Sequence, residues 1–299
     1  MARGNMKIAL IGCGEVGHCY AQAWSAAGHD IVAVGELRQD AEMQARVQSY
    51  GATLYATPGA WLAEADLVVS AVFGYAAQEV ATQALPHLNS SALFADFTTA
   101  SAADMRAAAE VAATHNVPFA DVAIMGAIAL LGARTPLLTA GTGAAAVVTF
   151  AQACDIPAQA IEGQAGDAVQ LKLLRSIMTK GMESLAVECL VAAEKLGLRN
   201  ALYDVLGDID RTPLTKFIDS FVCSHVLHAP RRLAEVREAR DQLIEAGLQP
   251  LVLDGVERLF ARTTQGLNDA RAAQGGAPLD LPDTVQGRLA WLTPLAEQK

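Results

Sequence analysis

Through the first half of the chain, short apolar runs alternate with stretches in which apolar residues recur every three to four positions, the rhythm of repeated βα units feeding a parallel sheet. The pattern predicts strands near Lys7–Ile11, Ile31–Val34, Leu67–Val72, Ala92–Asp96, Phe119–Val122 and Leu137–Ala140, with a further short strand at Thr53–Tyr55. Helices are predicted between them at Val16–Ala27, Ala41–Tyr50, Ala76–Ala84, Ala102–His115 and Ala144–Ala153. After Gly163 the strand-like runs stop. Asp167–Leu196 keeps a helical period for about 30 residues without a proline, which predicts one long helix. Further helices are expected over Leu202–Leu206, Pro213–His225, Arg231–Ala246, Leu251–Ala273 and Thr284–Leu292, with breaks at Gly207, Pro230, Gly247–Pro250 and Gly275–Pro278. The expected architecture is α/β: a doubly wound sheet in residues 1–163, then an all-helical domain in residues 164–299.

The first strand runs into Gly12-Cys13-Gly14-Glu15-Val16-Gly17, a GxGxxG turn that opens an alanine-rich helix. Alone this spacing is a weak signal; between an apolar strand and a helix it marks a Rossmann-type, dinucleotide-binding sheet. Gly12 permits the tight turn, Gly14 lets the backbone approach a pyrophosphate, and Gly17 lets the helix lie against the strand. The N–H groups of Glu15 and Val16 then face the phosphates at the positive end of the helix dipole. Glu36, nineteen residues after Gly17 at the end of the second strand, is placed to accept hydrogen bonds from the adenosine ribose hydroxyls. This favours NAD, while Arg38 can pair with a 2′-phosphate and keeps NADP as the alternative. A solvated loop is the bland account of Glu36 and Arg38.

Composition narrows the picture. A 299-residue chain that is 52% hydrophobic can bury a substantial core, and its abundant alanine with only 5% aromatics suits closely packed helices. With 32 acidic against 22 basic residues the formal charge is -10, a field that repels nucleic acid and anionic membrane. Five scattered cysteines without CxxC spacing argue against a disulfide framework or a zinc site, and read as reduced thiols of a cytoplasmic protein. No His/Asp/Glu cluster has metal-ligand spacing, so no metal is expected. The first apolar run is too short for a leader, no run reaches the roughly 20 residues of a membrane span, and the residues ahead of Met6 are assigned no function.

Five further stretches carry a family resemblance. Asp96-Phe97-Thr98-Thr99 resembles the D-x-S-T stretch beside the nicotinamide in the β-hydroxyacid dehydrogenases, a group that includes 6-phosphogluconate and 3-hydroxyisobutyrate dehydrogenases. Asp121-Val122-Ala123-Ile124-Met125-Gly126 resembles their substrate loop, D-x-P-V-S-G, and Lys172-Leu173-Leu174-Arg175-Ser176 their K-L-x-N-N helix, whose lysine is catalytic. Lys180-Gly181-Met182-Glu183 and His228-Ala229-Pro230-Arg231-Arg232 are similar to a branch with a helical C-terminal domain of unassigned function. The resemblance spans about Met6 to Phe260. It implies nicotinamide held over Thr98 and the Val72 strand end, and a substrate near Met125 and Gly126.

Residue chemistry supports Lys172 independently. Hydride transfer at a carbinol carbon requires a proton to leave or join the oxygen, and a lysine whose pKa is lowered by burial and a neighbouring cation does both. Arg175 or Lys180 is expected to supply that cation. Lys172, Ser176 and Lys180 repeat at helical spacing, so they share one face, a cationic receptor for a carboxylate or phosphate or else a solvated stripe with Lys180 paired to Glu183. This chain departs from the family pattern at Ser176, where an asparagine is usual, and at Met125 and Ala127, where serine and glycine are usual. A less polar loop suits a substrate with an apolar or aromatic part; core filler is the other account of Met125. His228, Arg231 and Arg232 flank Pro230 at an expected helix start, where they bind a substrate anion or pair with Glu235 and Glu238. His115 and His225 read as ordinary surface or helix-end histidines.

The expectation is an NAD(P)-dependent dehydrogenase or reductase acting on the CH–OH of a β-hydroxy acid or related carbinol, with Lys172 as general acid/base and Ser176 as an orienting donor. An imine reductase is the alternative, and a dinucleotide-binding protein without turnover is the third. The apolar helical domain is expected to form a homodimer.

Overall fold

The computed structural model describes residues 5–207 and 209–297, so the residues 1–4 assigned no function lie outside the described part. Eight strands build one sheet: β1 Lys7–Ile11, β2 Asp30–Gly35, β3 Thr53–Tyr55, β4 Leu67–Ser70, β5 Leu93–Asp96, β6 Phe119–Ile124, β7 Leu137–Ala140 and β8 Ala158–Ala160. Their order is β3-β2-β1-β4-β5-β6-β7-β8, and every pairing is parallel except β6 with β7. β8 was not predicted. Its three residues, Ala-Gln-Ala, show no apolar alternation, and only pairing with Leu137–Thr139 makes them a strand.

Helices cover both faces, which is why strands such as β4 and β5 are buried at each position. The two-residue period of β1 sorts its side chains: Ile8 and Leu10 join one core cluster, Ala9 and Ile11 the other. The face holding Ile8 is covered by α1 Glu15–Ala26, α2 Ala41–Gln48 and, further along the sheet, α6 Ala144–Ala153; the opposite face by α3 Ala77–Ala84 and α4 Ala102–Thr114. α1 buries Gly17, Tyr20, Ala21 and Trp24, one stripe at helical spacing, and Tyr20 meets Phe97 edge-on at 5.1 Å. Each large apolar side chain buried this way contributes roughly 1.5–3 kcal/mol. Phe97 directly precedes Thr98, so this packing also fixes the end of β5. Between β6 and β7 lies the short helix α5, Ile128–Leu131.

The chain divides into two compact units, Met1–Ile177 and Met178–Lys299. The division falls inside the long helix α7, Asp167–Lys195. The second unit continues with α8 Arg199–Val205, α9 Leu214–Glu245, α10 Leu251–Ala273 and α11 Val285–Glu297.

The expected break at Pro230 is absent: α9 runs through it, and the two predicted helices are one. An interior proline costs about 3 kcal/mol through its missing N–H and its ring. Here Val226, Ala229 and Leu233 form a buried stripe around it, with Val226 and Ala229 in a cluster shared with Leu267 of α10, and tertiary packing outweighs the local cost. Arg231 and Arg232 therefore sit in a helix interior rather than at a start, and the dipole argument does not apply to them. His225 is likewise mid-helix, partly buried, with Nε2 2.9 Å from Thr263 Oγ1. Among the described residues no helix is long and apolar enough to cross a membrane.

Candidate active site

The glycine turn has the backbone its sequence requires. Gly12 has φ +89°, and a Cβ there would lie 2.4 Å from the Ala71 carbonyl oxygen, so the position admits glycine for both reasons. At Gly17 a Cβ would lie 2.1 Å from the Gly12 carbonyl oxygen, which makes the close approach of α1 to the turn depend on a missing side chain. Gly14 differs. A Cβ there would meet nothing within 4 Å and its φ is −68°, so neither packing nor backbone demands glycine. The space above Gly14 is open, and α1 begins at Glu15 with no side chain capping it. Backbone N–H donors at a helix start, left to an outside acceptor beneath open space, fit the phosphates of a dinucleotide.

Glu36 reaches back to this turn. Its Oε2 accepts from the Cys13 N–H at 3.0 Å and its Oε1 from the Arg38 N–H at 3.2 Å. Arg46 of α2 grips the same residue from the other side, donating from Nη1 to the Cys13 carbonyl at 3.0 Å. The sequence reading missed Arg46; its helical pairing with Glu42 was legible, but its bond to a residue on another element was not. Arg38 is engaged by Asp40 at 3.3 Å and Glu42 at 3.7 Å.

From the start of α1 a groove of about 500 Å3 extends over the carboxyl ends of β4, β5 and β6. Glu15, Val16, Val72, Thr98, Thr99, Gly126 and Lys172 line it, together with Phe73, Phe97, Ile124 and Ile128. The place follows from topology: strand order reverses between β1 and β4, and ligands of such sheets sit in the crevice at the strand ends. Asp96 fixes the turn after β5 by accepting the Thr98 N–H at 2.8 Å, and Thr98 Oγ1 accepts the Val72 N–H at 3.3 Å. Lys172, half-buried on α7, donates from Nζ to Thr99 Oγ1 at 2.7 Å. Burial lowers its pKa. The expected neighbouring cation is not the cause, since the charge acting on it is the Asp121 carboxylate, which raises it.

The other candidates are not among the residues that line the groove. Met125 is not among the groove residues; it packs on the cluster of Ala123, Leu138, Ala140 and Ala168, as core filler would. The Ser176 hydroxyl donates to the Lys172 carbonyl at 3.0 Å. Lys180 belongs to the second unit, exposed and paired to Glu183 at 2.7 Å, and Arg231, also there, pairs with Glu235. Arg232 donates to Ser224 Oγ at 3.1 Å instead of pairing with Glu238. No group of three or more His, Cys, Asp or Glu residues among those described is placed to hold a metal ion.

Fold, glycine turn and strand-end groove together define a dinucleotide-binding α/β protein. Residues 7–155 match the NAD binding domain of 6-phosphogluconate dehydrogenase, and residues 193–263 match a domain of unknown function (DUF1932). One solved structure, of the conserved protein MTH1747, is described as similar to 3-hydroxyacid dehydrogenases; it is 26% identical, covers 91% of this chain and 100% of its own, and has a TM-score of 0.61. A reductive aminase from Aspergillus terreus in complex with NADPH and ethyl-5-oxohexanoate is 19% identical over 88% of this chain and 94% of its own, TM-score 0.69. An imine reductase from Myxococcus stipitatus, a variant in complex with NAD+, is 17% identical over 98% and 100%, TM-score 0.71. The chain thus carries an NAD(P)-binding domain of the 6-phosphogluconate dehydrogenase type on a hydroxyacid dehydrogenase-like fold that imine reductases share.

Proposed function

We propose that this protein is an NAD(P)-dependent oxidoreductase that moves hydride between nicotinamide and a β-hydroxy acid or related carbinol, with Lys172 as general acid/base. The observation that carries this is the Lys172 amine, held against Thr99 at 2.7 Å in the groove that opens at the glycine turn. Gly12, Gly14, Glu15, Val16 and Gly17 would hold the diphosphate, Glu36 the adenosine ribose, and Val72 and Thr98 the nicotinamide end. When bound, the coenzyme accepts or supplies the hydride. In the oxidative direction the neutral Lys172 amine takes the proton leaving the substrate hydroxyl; in the reductive direction its ammonium returns a proton to the same atom. Gly126 borders the substrate space, and Ser176 steadies the helical turn that bears the amine.

NAD is the favoured coenzyme. A carboxylate at Glu36 suits ribose hydroxyls, and Arg38, the cation that would greet a 2′-phosphate, is already paired with Asp40 and Glu42. Imine reduction is the second reading, and a specific observation favours it. Among the described residues Lys172 is the sole cation lining the groove, whose other walls include Phe73, Phe97, Ile124 and Ile128, so an apolar substrate without a carboxylate suits it. Assaying β-hydroxy acids beside cyclic imines with NADH and NADPH separates the two. Lys172→Ala is expected to lower turnover at least about a hundredfold while leaving coenzyme affinity nearly intact; a fully active variant overturns the role.

A homodimer is part of the same proposal. Val187, Val191, Tyr203, Val205, Phe221 and Leu227 of the second unit are exposed in the single chain, an apolar surface of the kind that a second copy covers. Light scattering at micromolar concentration is expected to give twice the chain mass, and a monomer there refutes it.

A further inference from the structure

The hydride chemistry leaves unused a row of buried polar groups. Ser70, Asp96 and Asp121 occupy matching register positions on β4, β5 and β6, so their side chains leave the sheet on one face, and all three are fully buried. Ser70 Oγ, Asp96 Oδ2 and Asp121 Oδ1 each lack a hydrogen-bond partner among the described residues. Two neighbouring carboxyls in such surroundings do not both ionise at modest cost, because burial and mutual repulsion act together.

Their other oxygens show which keeps the charge. Asp121 Oδ2 accepts backbone N–H groups from Gly166 at 2.9 Å and Val169 at 3.1 Å, where α7 begins. Those donors and the positive end of the helix dipole favour an anion. Asp96 is stabilised only through Thr98, whose N–H donates to Oδ1 at 2.8 Å and whose side chain also bonds the carboxyl, so among the described residues it has fewer backbone donors than Asp121. Val169 precedes Lys172 by three residues, so the bond to Asp121 fixes the turn from which the amine extends.

We propose that Asp121 is a positioning residue for Lys172: it caps α7 and supplies a buried negative charge that holds the ammonium in the groove. This rests on Lys172 being the proton carrier. The titration directions agree. Burial raises both carboxyls, Asp96 up to about 7; the Thr98 bonds oppose the rise at Asp96 while the Asp121 charge adds a little to it, and three backbone N–H groups oppose the rise at Asp121. Asp121 in turn opposes the lowering of Lys172 by burial. Of the remaining charges nearby, Asp167 is paired with Arg106 at 3.3 Å, and Glu15 lines the groove.

The test uses the whole chain with 13C-methylated lysines, the Lys172 resonance being identified by its absence in Lys172→Arg. Asp121→Asn keeps an oxygen to cap α7 and removes the charge. The Lys172 midpoint is expected to fall by about one pH unit, a tenfold change in acidity, whereas a cap with no electrostatic role leaves the midpoint where it was and overturns the proposal. Should Asp121→Asn not fold, Asp96→Asn decides. With the charge on Asp121 the midpoint stays within a few tenths of a unit, and a fall of about a unit assigns the charge to Asp96 and overturns the proposal. Neither measurement needs turnover, so an active Lys172→Ala enzyme would sink the proton-carrier reading alone, separately from the coupling of Asp121 to the amine.

Discussion

Two grooves of nearly equal volume, one in each unit, stand beside carboxylates put to opposite use. The first-unit groove, about 500 Å3, is bordered by the start of α1, Thr98, Thr99 and Lys172. The second-unit groove, about 480 Å3, is walled by Leu185, Leu196, Leu202, Val205, Leu243 and Leu253, with Glu188 among its few polar residues. Glu188 is spent on structure: its oxygens accept the N–H groups of Val252 at 2.7 Å and Leu253 at 3.0 Å, where α10 begins. Asp121 caps α7 in the same way, yet a lysine one turn on senses its charge. Volume does not distinguish the grooves; the direction in which donors, acceptors and one proton-carrying amine point does.

The contrast is sharpened first by alanine at two glycines of one turn. Gly17→Ala forces a Cβ against the Gly12 carbonyl and is expected to cost about 3 kcal/mol or more of stability, read from urea unfolding. A midpoint close to that of the parent would show that the turn relaxes freely. Gly14→Ala has open space and is expected to stay within about 0.5 kcal/mol of the parent. Its effect falls on coenzyme instead, with affinity down about tenfold or roughly 1.4 kcal/mol by fluorescence titration.

Next in size is pH. Asp96 is raised from 3.8 to about 7, so between those values the folded chain holds a proton that the unfolded chain has released. The contribution is fully present below about pH 4 and is lost as pH rises through about 7. Urea midpoints of Asp96→Asn set beside the parent are expected to remove a slope worth a few kcal/mol at most. Parallel profiles would mean that Asp96 is ionised throughout.

The smallest effect belongs to the helical unit. Pro230→Ala restores an interior N–H in α9 and removes the ring clash, less the entropy that proline takes from the unfolded chain. A gain of about 1 kcal/mol is expected, seen as a rise of a few degrees in Tm. A loss would mean that α9 needs the proline's local geometry to bury Val226 and Leu233.

Most strands of the sheet and the long helix were legible because their signals are local. A period of two or 3.6, a glycine triplet after an apolar run and thirty residues without a proline each reside in adjacent positions. β8 and the continuity of α9 were not, because in both the local preference is weak or adverse and packing with a distant segment decides. Among site residues, Gly12, Gly14, Gly17, Thr98 and Lys172 came with motif spacing, whereas Arg46 and the depth of Asp121 came with none.

What the amino-acid order determined by itself is the set of groups available to the chemistry: three glycines that free a backbone, an acid at the end of the second strand, and a lysine on a helix. What only the tertiary structure decided is their electrostatic state. A pKa depends on how much water and which charges surround a group, and those neighbours come from residues far away in the chain. Lys172 illustrates the division, since its place on α7 follows from periodicity, while its burial, its bond to Thr99 and the influence of the Asp121 charge arise only when β5, β6 and the helix meet.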